Sequence, residues 1–263
     1  MNVGGFLAAL DAVAPARLAE DWDNVGLMVG RRDRTVSHVL MALDLRAEVL
    51  DEAAHTSADL VLVHHPPIFP AMSAVSASRT PGALVLRAAR EGVAVVAAHT
   101  NLDSASGGLN DMMADALGMG ERQPLVPGAA DPRAGLGRIG AIAPVTLGAL
   151  AARAVGMFCT RRANVGLVGD PDRPVSRIAV CTGSGRSLVQ VAREAGADAY
   201  LTGDLTYHDA DAADGMALVN LPHGAVEQHA MRAWAPRLAE LLASAGVVVA
   251  FASEDTDPWR DAC

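Results

Sequence analysis

Residues 60–69 read LVLVHHPPIF: four apolar residues, a tandem histidine, then two prolines. The run of Val and Leu without alternation predicts a short strand covered on both faces, as in a parallel sheet. Pro66 and Pro67 have no amide to give to a ladder, so they end that strand. Successive strand residues point to opposite faces, so a continuing strand would separate His64 from His65. Once the strand stops, the backbone is free to splay and both imidazoles can reach one cavity at the sheet's edge. The competing reading is one core histidine and one solvent histidine beside a loop.

Working outward, similar apolar runs recur along the chain. Strands are predicted at 37–44, 58–65, 92–99, 177–183, 198–203, 216–221 and 246–253. Helical spacing or composition occupies 45–57, 81–91, 104–118, 147–156, 186–196 and 227–244. This alternation predicts an α/β fold of two lobes with mixed sheets and a metal site at the carboxyl ends of strands. Residues 120–140, dense in Gly, Pro and Asp, read as a loop between lobes. The expected division is a discontinuous metal-binding lobe over 1–125 and 217–263 and a middle lobe over 126–216. The last helix and strand return to the first lobe.

The chain has 263 residues, 51% of them hydrophobic but only 3% aromatic, so its core must be built from Ala, Val and Leu. All of the basic residues are arginine, which excludes Schiff-base and P-loop lysine chemistry. A net charge of −9 argues against a nucleic-acid-binding surface. The cysteines Cys159, Cys181 and Cys263 are odd in number and far apart, and read as reduced thiols of a cytoplasmic protein. The start of the chain lacks the pattern of a signal peptide. No apolar run approaches the roughly 20 residues of a membrane helix.

Four stretches concentrate the chemistry, each after a predicted strand: HHPPIF (64–69), HTNLDSASGGLND (99–111), TGDLTYHDA (202–210) and LPHGAVEQHA (221–230). Asp103 reads equally as a ligand or a helix cap. His99 suits a hydrogen-bonding role beside a metal carboxylate. His223 and Glu227 are four apart, so a helix starting after Pro222 puts them on one face, although exposed pairs of this spacing are common. His64, His65, Asp103, His223 and Glu227 together offer three imidazoles, two carboxylates and no thiol. That set suits Zn, Mn, Fe or Ni, and is richer than one open catalytic ion needs but right for two. His208 repeats the i, i+4 spacing with Asp204 and is a candidate catalytic proton carrier, or half of a cap pair. CTGSGRS (181–187) could hold a phosphate near Arg186, or be an ordinary turn between strand and helix.

EDWDNVGLMVG (20–30), LVLVHHPPIF, AAHTNLDSASGGLND, AYLTGDLTYHDA and HGAVE, in this order, resemble the dinuclear-metal-centre proteins named GTP cyclohydrolase 1 type 2 homologues. The resemblance implies a two-domain α/β subunit, a homohexameric ring, and two divalent ions per subunit facing an inner cavity. It also implies His64, His65, Asp103, His223 and Glu227 as ligands, with Glu227 bridging. Pro222 departs from the small residue usual in the family before its last ligand histidine. The long insertion that some members carry is absent.

Two functions follow as expectations. One is a metal-dependent hydrolase acting on a nucleotide, phosphoester or amide-type substrate, with Arg31, Arg32 and Arg186 as the cations for a triphosphate. The other is a hexameric metal-binding scaffold without catalysis.

Overall fold

The computed structural model describes residues 1–129, 131–158 and 165–258. Cys159 and Cys263 lie outside the described residues; Cys181 is a buried free thiol. Along the chain, the first elements are α1 (Val3–Val13), β1 (Gly26–Val29), β2 (His38–Ala42), α2 (Ala47–His55), β3 (Leu60–Val63), α3 (Gly82–Glu91) and β4 (Ala94–Ala97). There follow α4 (Thr100–Ser104), α5 (Leu109–Ala116), β5 (Gly120–Pro127), β6 (Gly135–Thr146), α6 (Leu147–Phe158), β7 (Gly166–Val168) and β8 (Pro174–Ser184). The last are α7 (Val189–Glu194), β9 (Ala199–Gly203), α8 (Tyr207–Ala212), β10 (Ala217–Leu221), α9 (His223–Leu242) and β11 (Val248–Phe251).

The described residues divide into two units, 1–102 with 231–256 and 103–230 with 257–258. The first holds a five-stranded sheet in the order β1-β4-β3-β2-β11. Strands β4, β3, β2 and β11 are parallel, and β1 closes the edge antiparallel to β4. One face of this sheet presents Leu40, Ala42, Val61, Val63, Val95 and Ala97 to Val49, Leu50 and Ala53 of α2 and Val85 and Ala88 of α3. The alternate residues Val39, Met41, Leu60, Leu62, Ala94 and Val96 are buried as well. Both faces are therefore covered, which is why these strands read as unbroken apolar runs.

The second unit holds a six-stranded sheet in the order β5-β6-β8-β9-β10-β7. Its β8, β9 and β10 are parallel, and the remaining pairings are antiparallel. Ile178, Val180, Leu201 and Val219 point to the face packed by Leu147, Leu150 and Ala154 of α6. Ala179, Tyr200 and Leu218 point to the opposite face, against Val189 and Ala192 of α7. Both sheets are mixed, as expected.

The division differs from the expected one. Residues 120–140 are not one loop: 120–127 form β5 and 135–140 the first half of β6, and β5 pairs with β6. Strand β10 pairs with β9 and β7. Strand pairing thus draws both segments into the second unit, which begins at Asp103 instead of 126 and runs past 216 to Ala230. Asp103, His223 and Glu227 belong to this unit, whereas His64 and His65 belong to the first. The expected return of the chain to the first unit is observed, since β11 pairs parallel with β2.

Candidate metal centre

In the first unit, the site is built at the carboxyl ends of β2, β3 and β4, where ligands gather in open α/β sheets. Strand β3 stops at Val63. The amides of His64 and His65 then both turn to the same carbonyl, that of Leu43, at 3.1 and 3.0 Å. Two consecutive amides on one acceptor break the alternation of the strand, so the two rings come together at 5.2 Å between centroids. His99, two residues beyond β4, brings its ring to 5.0 Å from His64 and 5.7 Å from His65. One ring nitrogen of each of the three histidines lies within 4.8 Å of the others, a group able to hold a metal ion.

Each of these rings is fixed through Nδ1. His64, fully buried, directs Nδ1 to the Ala98 carbonyl oxygen at 2.9 Å. His65 directs Nδ1 to Asp44 Oδ1 at 2.8 Å, and His99 to Asp23 Oδ1 at 2.9 Å. A ring nitrogen that meets a carbonyl or carboxylate oxygen carries the proton, which leaves the Nε2 lone pair as the donor to a cation. Asp23 also accepts from the Thr100 amide at 3.0 Å, from the Thr100 hydroxyl, and from the Asn24 amide at 2.7 Å. Burial would raise the Asp23 carboxyl, but the bonds from His99 and Thr100 outweigh it and hold the pKa at about 2. Asp44 is likewise pushed up by burial and brought below the ordinary carboxylate value by His65, Thr256 and Arg46.

In the second unit the groups again lie beyond parallel strands. His223 opens α9 immediately after Pro222, and Glu227 follows one turn later. Glu227 is 2% exposed, and its Oε2 lies 3.0 Å from His223 Nε2. His223 Nδ1 meets Asp204 Oδ2 at 2.7 Å. Burial pulls the His223 pKa down, but Glu227 and Asp204 together raise it to about 11. A proton thus sits between two carboxylates, where the charge balance suits a cation. Asp103 is buried, and its Oδ1 accepts from the Thr182 hydroxyl at 2.9 Å. Asn110 completes this anchor: its Nδ2 donates to the Asp103 carbonyl at 3.1 Å, and its Oδ1 accepts from the Thr182 amide at 2.9 Å.

Gly183, at φ +64°, passes directly over the ion pair. A Cβ there would lie well inside van der Waals contact of Glu227 Oε1 and 3.4 Å from His223 Nε2. The glycine of CTGSGRS therefore makes room for the carboxylate. Arg186 is tied to Asp209 at 2.9 Å and approaches the Thr206 hydroxyl at 3.4 Å, so the phosphate reading of this turn gives way to an architectural one. Arg31 is engaged with Asp33 at 3.0 and 2.6 Å. His208 is exposed, its ring edge-on to Tyr207 at 5.5 Å. The expected Asp204–His208 pair is replaced by Asp204–His223, because α8 begins only at Tyr207 and leaves Asp204 in the preceding turn.

The structure thus joins His64 and His65 to His99 in one cluster and pairs His223 with Glu227 in another; the sequence reading had placed His99 in a hydrogen-bonding role only. It missed Asp44, Thr182 and Asn110, and gave no chemistry to Asp23. Asp44 did carry a signal, as the acid ending the predicted strand 37–44. The donor set, three anchored imidazoles in one unit and an imidazole with two buried carboxylates in the other, fits borderline divalent ions.

The chain matches the Duf34/NIF3 (NGG1p interacting factor 3) family over residues 1–258. It is 40% identical over 261 residues to a Streptomyces coelicolor protein named GTP cyclohydrolase 1 type 2 homolog, covering 96% of this chain and 92% of that one. The structure of a Staphylococcus aureus hypothetical protein superposes with a TM-score of 0.93 at 26% identity, covering 99% of each chain. A Bacillus cereus protein related to NIF3, at 24% identity with a TM-score of 0.92 and 99% coverage of both, shares the fold. The strand-end histidines and these similarities agree: the chain belongs to the Duf34/NIF3 family, among the GTP cyclohydrolase 1 type 2 homologues.

Proposed function

We propose that this protein is a metal-dependent hydrolase whose His64, His65, Asp103, His223 and Glu227 ligate two divalent ions (Zn, Mn, Fe or Ni), with Glu227 bridging. The observation that supports this reading best is the shared anchoring of the histidines. His64, His65 and His223 each have Nδ1 held by a carbonyl or carboxylate oxygen, the arrangement that presents Nε2 to a metal. When bound, such ions supply Lewis acidity toward a phosphoryl or carbonyl oxygen. The chain's own residues fix the donors: Asp44 and Asp204 orient imidazoles, Thr182 and Asn110 hold Asp103, and Gly183 leaves space for Glu227. The protein works as a cytoplasmic homohexamer, as the family resemblance and the odd, widely spaced cysteines suggest.

The substrate is a nucleotide, phosphoester or amide. The engagement of Arg31 with Asp33 and of Arg186 with Asp209 counts against a triphosphate and favours a smaller or less charged substrate. It also keeps a second reading in play, a metal-binding scaffold without catalysis. The test is to strip the protein with a chelator, reload it with Zn, Mn, Fe or Ni, and assay GTP, bis(p-nitrophenyl) phosphate and p-nitroacetanilide. Metal-dependent turnover that disappears in His65→Ala supports the hydrolase. Full metal loading without turnover of any substrate class favours the scaffold, and failure to load any metal refutes both.

A further inference from the structure

Aromatic residues are scarce in this chain: four Phe, three Trp and two Tyr in 263 residues. Phe6, Phe158, Tyr200 and Trp234 are buried in the core. Trp22 and Phe69 are instead 60% and 47% exposed, and they stand together, with ring centroids 5.8 Å apart and planes at 74°. One exposed apolar side chain is ordinary, but two adjacent aromatic rings left in water forfeit a large burial energy. Their place in the first unit is specific as well. Trp22 lies 6.2 Å and Phe69 6.1 Å from the His99 ring, which itself adjoins His64 and His65.

The backbone beneath these rings is clamped. Trp22 is the third residue of a turn closed by the Asp23 amide on the Glu20 carbonyl at 2.9 Å. The Glu20 amide donates to the Thr100 hydroxyl at 3.0 Å, and the Asp23 carboxylate accepts from His99, Thr100 and Asn24. Asn24 Nδ2 donates to the Ile68 carbonyl, which joins the turn to the residue before Phe69. A rigid backbone that holds flat, exposed rings binds a ligand at low entropic cost. Aromatic rings in such a setting take flat heterocycles, because each of these has a π-face to stack. Charge narrows the class. Glu20 and Asp21 precede Trp22 in the turn, Asp23 follows it, and the next arginine is Arg31. Acidic neighbours repel phosphate and accept hydrogen bonds from N–H donors. Two rings also match the size of one heterocycle, and fall far short of the roughly 800 Å² that each partner buries in a protein interface.

We propose that Trp22 and Phe69 form a stacking platform beside the strand-end histidines, and that the substrate carries a flat, amino-substituted heteroaromatic ring that packs on it. Among nucleotides, phosphoesters and amides, the platform selects a nucleoside-like substrate over a bare phosphoester or an alkyl amide. Trp22 and Phe69 hold the ring and take no part in bond cleavage. The inference rests on the proposed hydrolase in calling the ligand a substrate, but ring binding itself needs neither a metal ion nor turnover.

The test uses the full-length chain, metal-stripped and metal-loaded, with guanosine and cytidine as amino-substituted rings and ribose 5-phosphate as a phosphate without a ring. Binding is followed by equilibrium dialysis and tryptophan fluorescence, folding by circular dichroism, and assembly by size-exclusion chromatography. The nucleosides are expected to bind the stripped protein and quench a fluorescence component that Trp22→Leu lacks, whereas ribose 5-phosphate does not bind it. Trp22→Leu, which keeps apolar bulk but removes the flat face, should weaken nucleoside binding about fivefold or more and leave metal affinity within about twofold of wild type. Trp22→Tyr, which keeps a flat ring, should hold nucleoside affinity within about threefold. Should Trp22→Leu fail to fold, Phe69→Leu is read in its place. Nucleosides that bind wild type and Trp22→Leu alike, or that bind neither stripped nor loaded protein, overturn the inference. A folded Trp22→Leu that elutes as a smaller assembly also overturns it, by assigning the pair to a contact between copies of the chain. Guanosine binding through Trp22 in a protein that loads no metal refutes the hydrolase and leaves the ring site standing.

Discussion

Gly183→Ala turns the packing around Glu227 into a number. Gly183 has φ +64°, a conformation that costs an L-residue about 1–2 kcal/mol. The new Cβ would also overlap Glu227 Oε1, so the carboxylate must retreat by about 1 Å to reach ordinary contact. Retreat is restricted, because Glu227 is buried and its neighbour Val226 is packed in the core below α9. A ligand displaced by that distance at a preorganised site loses about 10- to 100-fold in affinity. The variant should therefore unfold about 1–3 kcal/mol earlier in urea and bind the ion that uses Glu227 at least tenfold more weakly. The assay is a competition titration against a chromophoric chelator, run beside urea unfolding of the metal-free protein. A variant that is destabilised but binds both ions within twofold of wild type would show that Glu227 is not a ligand.

Three further outcomes are expected. Asp44→Asn removes the carboxylate that holds His65 Nδ1 at 2.8 Å, and should lower metal affinity about 10- to 100-fold with little loss of fold, measured by the same competition titration. His223, raised from 6.5 to about 11, stabilises the metal-free fold fully below pH 6.5 and loses that contribution as pH rises through about 11. The urea midpoint of stripped wild type should thus fall more steeply between pH 9 and 11 than that of His223→Gln; identical slopes would refute the assignment. Arg138 is buried and donates to Asp111 at 3.0 and 2.8 Å as well as to the carbonyls of Ala105, Gly135 and Gly137. Asp111→Ala should cost about 3–5 kcal/mol in urea unfolding, because it strands a buried charge.

Seven of the strands were legible as apolar runs: in six of them pattern and burial agree, while β11 is an apolar edge strand that stays partly exposed. Strands β5 and β6 were hidden by composition that fits their places. β5 is a sheet edge, where Pro124 and Pro127 need donate no ladder bond. β6 carries Gly135 and Gly137 at positive φ, and Gly137 leaves no room for a Cβ against the Val180 carbonyl. α1 was obscured by Gly4 and Gly5 in its first turn, and β1 by its four-residue length between Gly26 and Gly30.

The metal-binding candidates were legible because they sit at strand ends as His, Asp and Glu. Their orienting partners were not. Asp44 lies 21 residues from His65 and Asp23 lies 76 from His99; the parallel pairing of β2 with β3 joins the first pair and the antiparallel pairing of β1 with β4 the second. The opening tandem has a physical answer that the prolines alone did not give: both amides turn to the Leu43 carbonyl, and the rings follow.

The most direct test of the central claim is a crystal of the metal-loaded protein measured on either side of the metal's absorption edge. The account predicts two anomalous peaks per chain, each bonded to imidazole Nε2 atoms, with Nδ1 still facing Ala98, Asp44 and Asp204. Peaks at Nδ1, or no peak near His64 and His65 in protein that elemental analysis finds loaded, would contradict it.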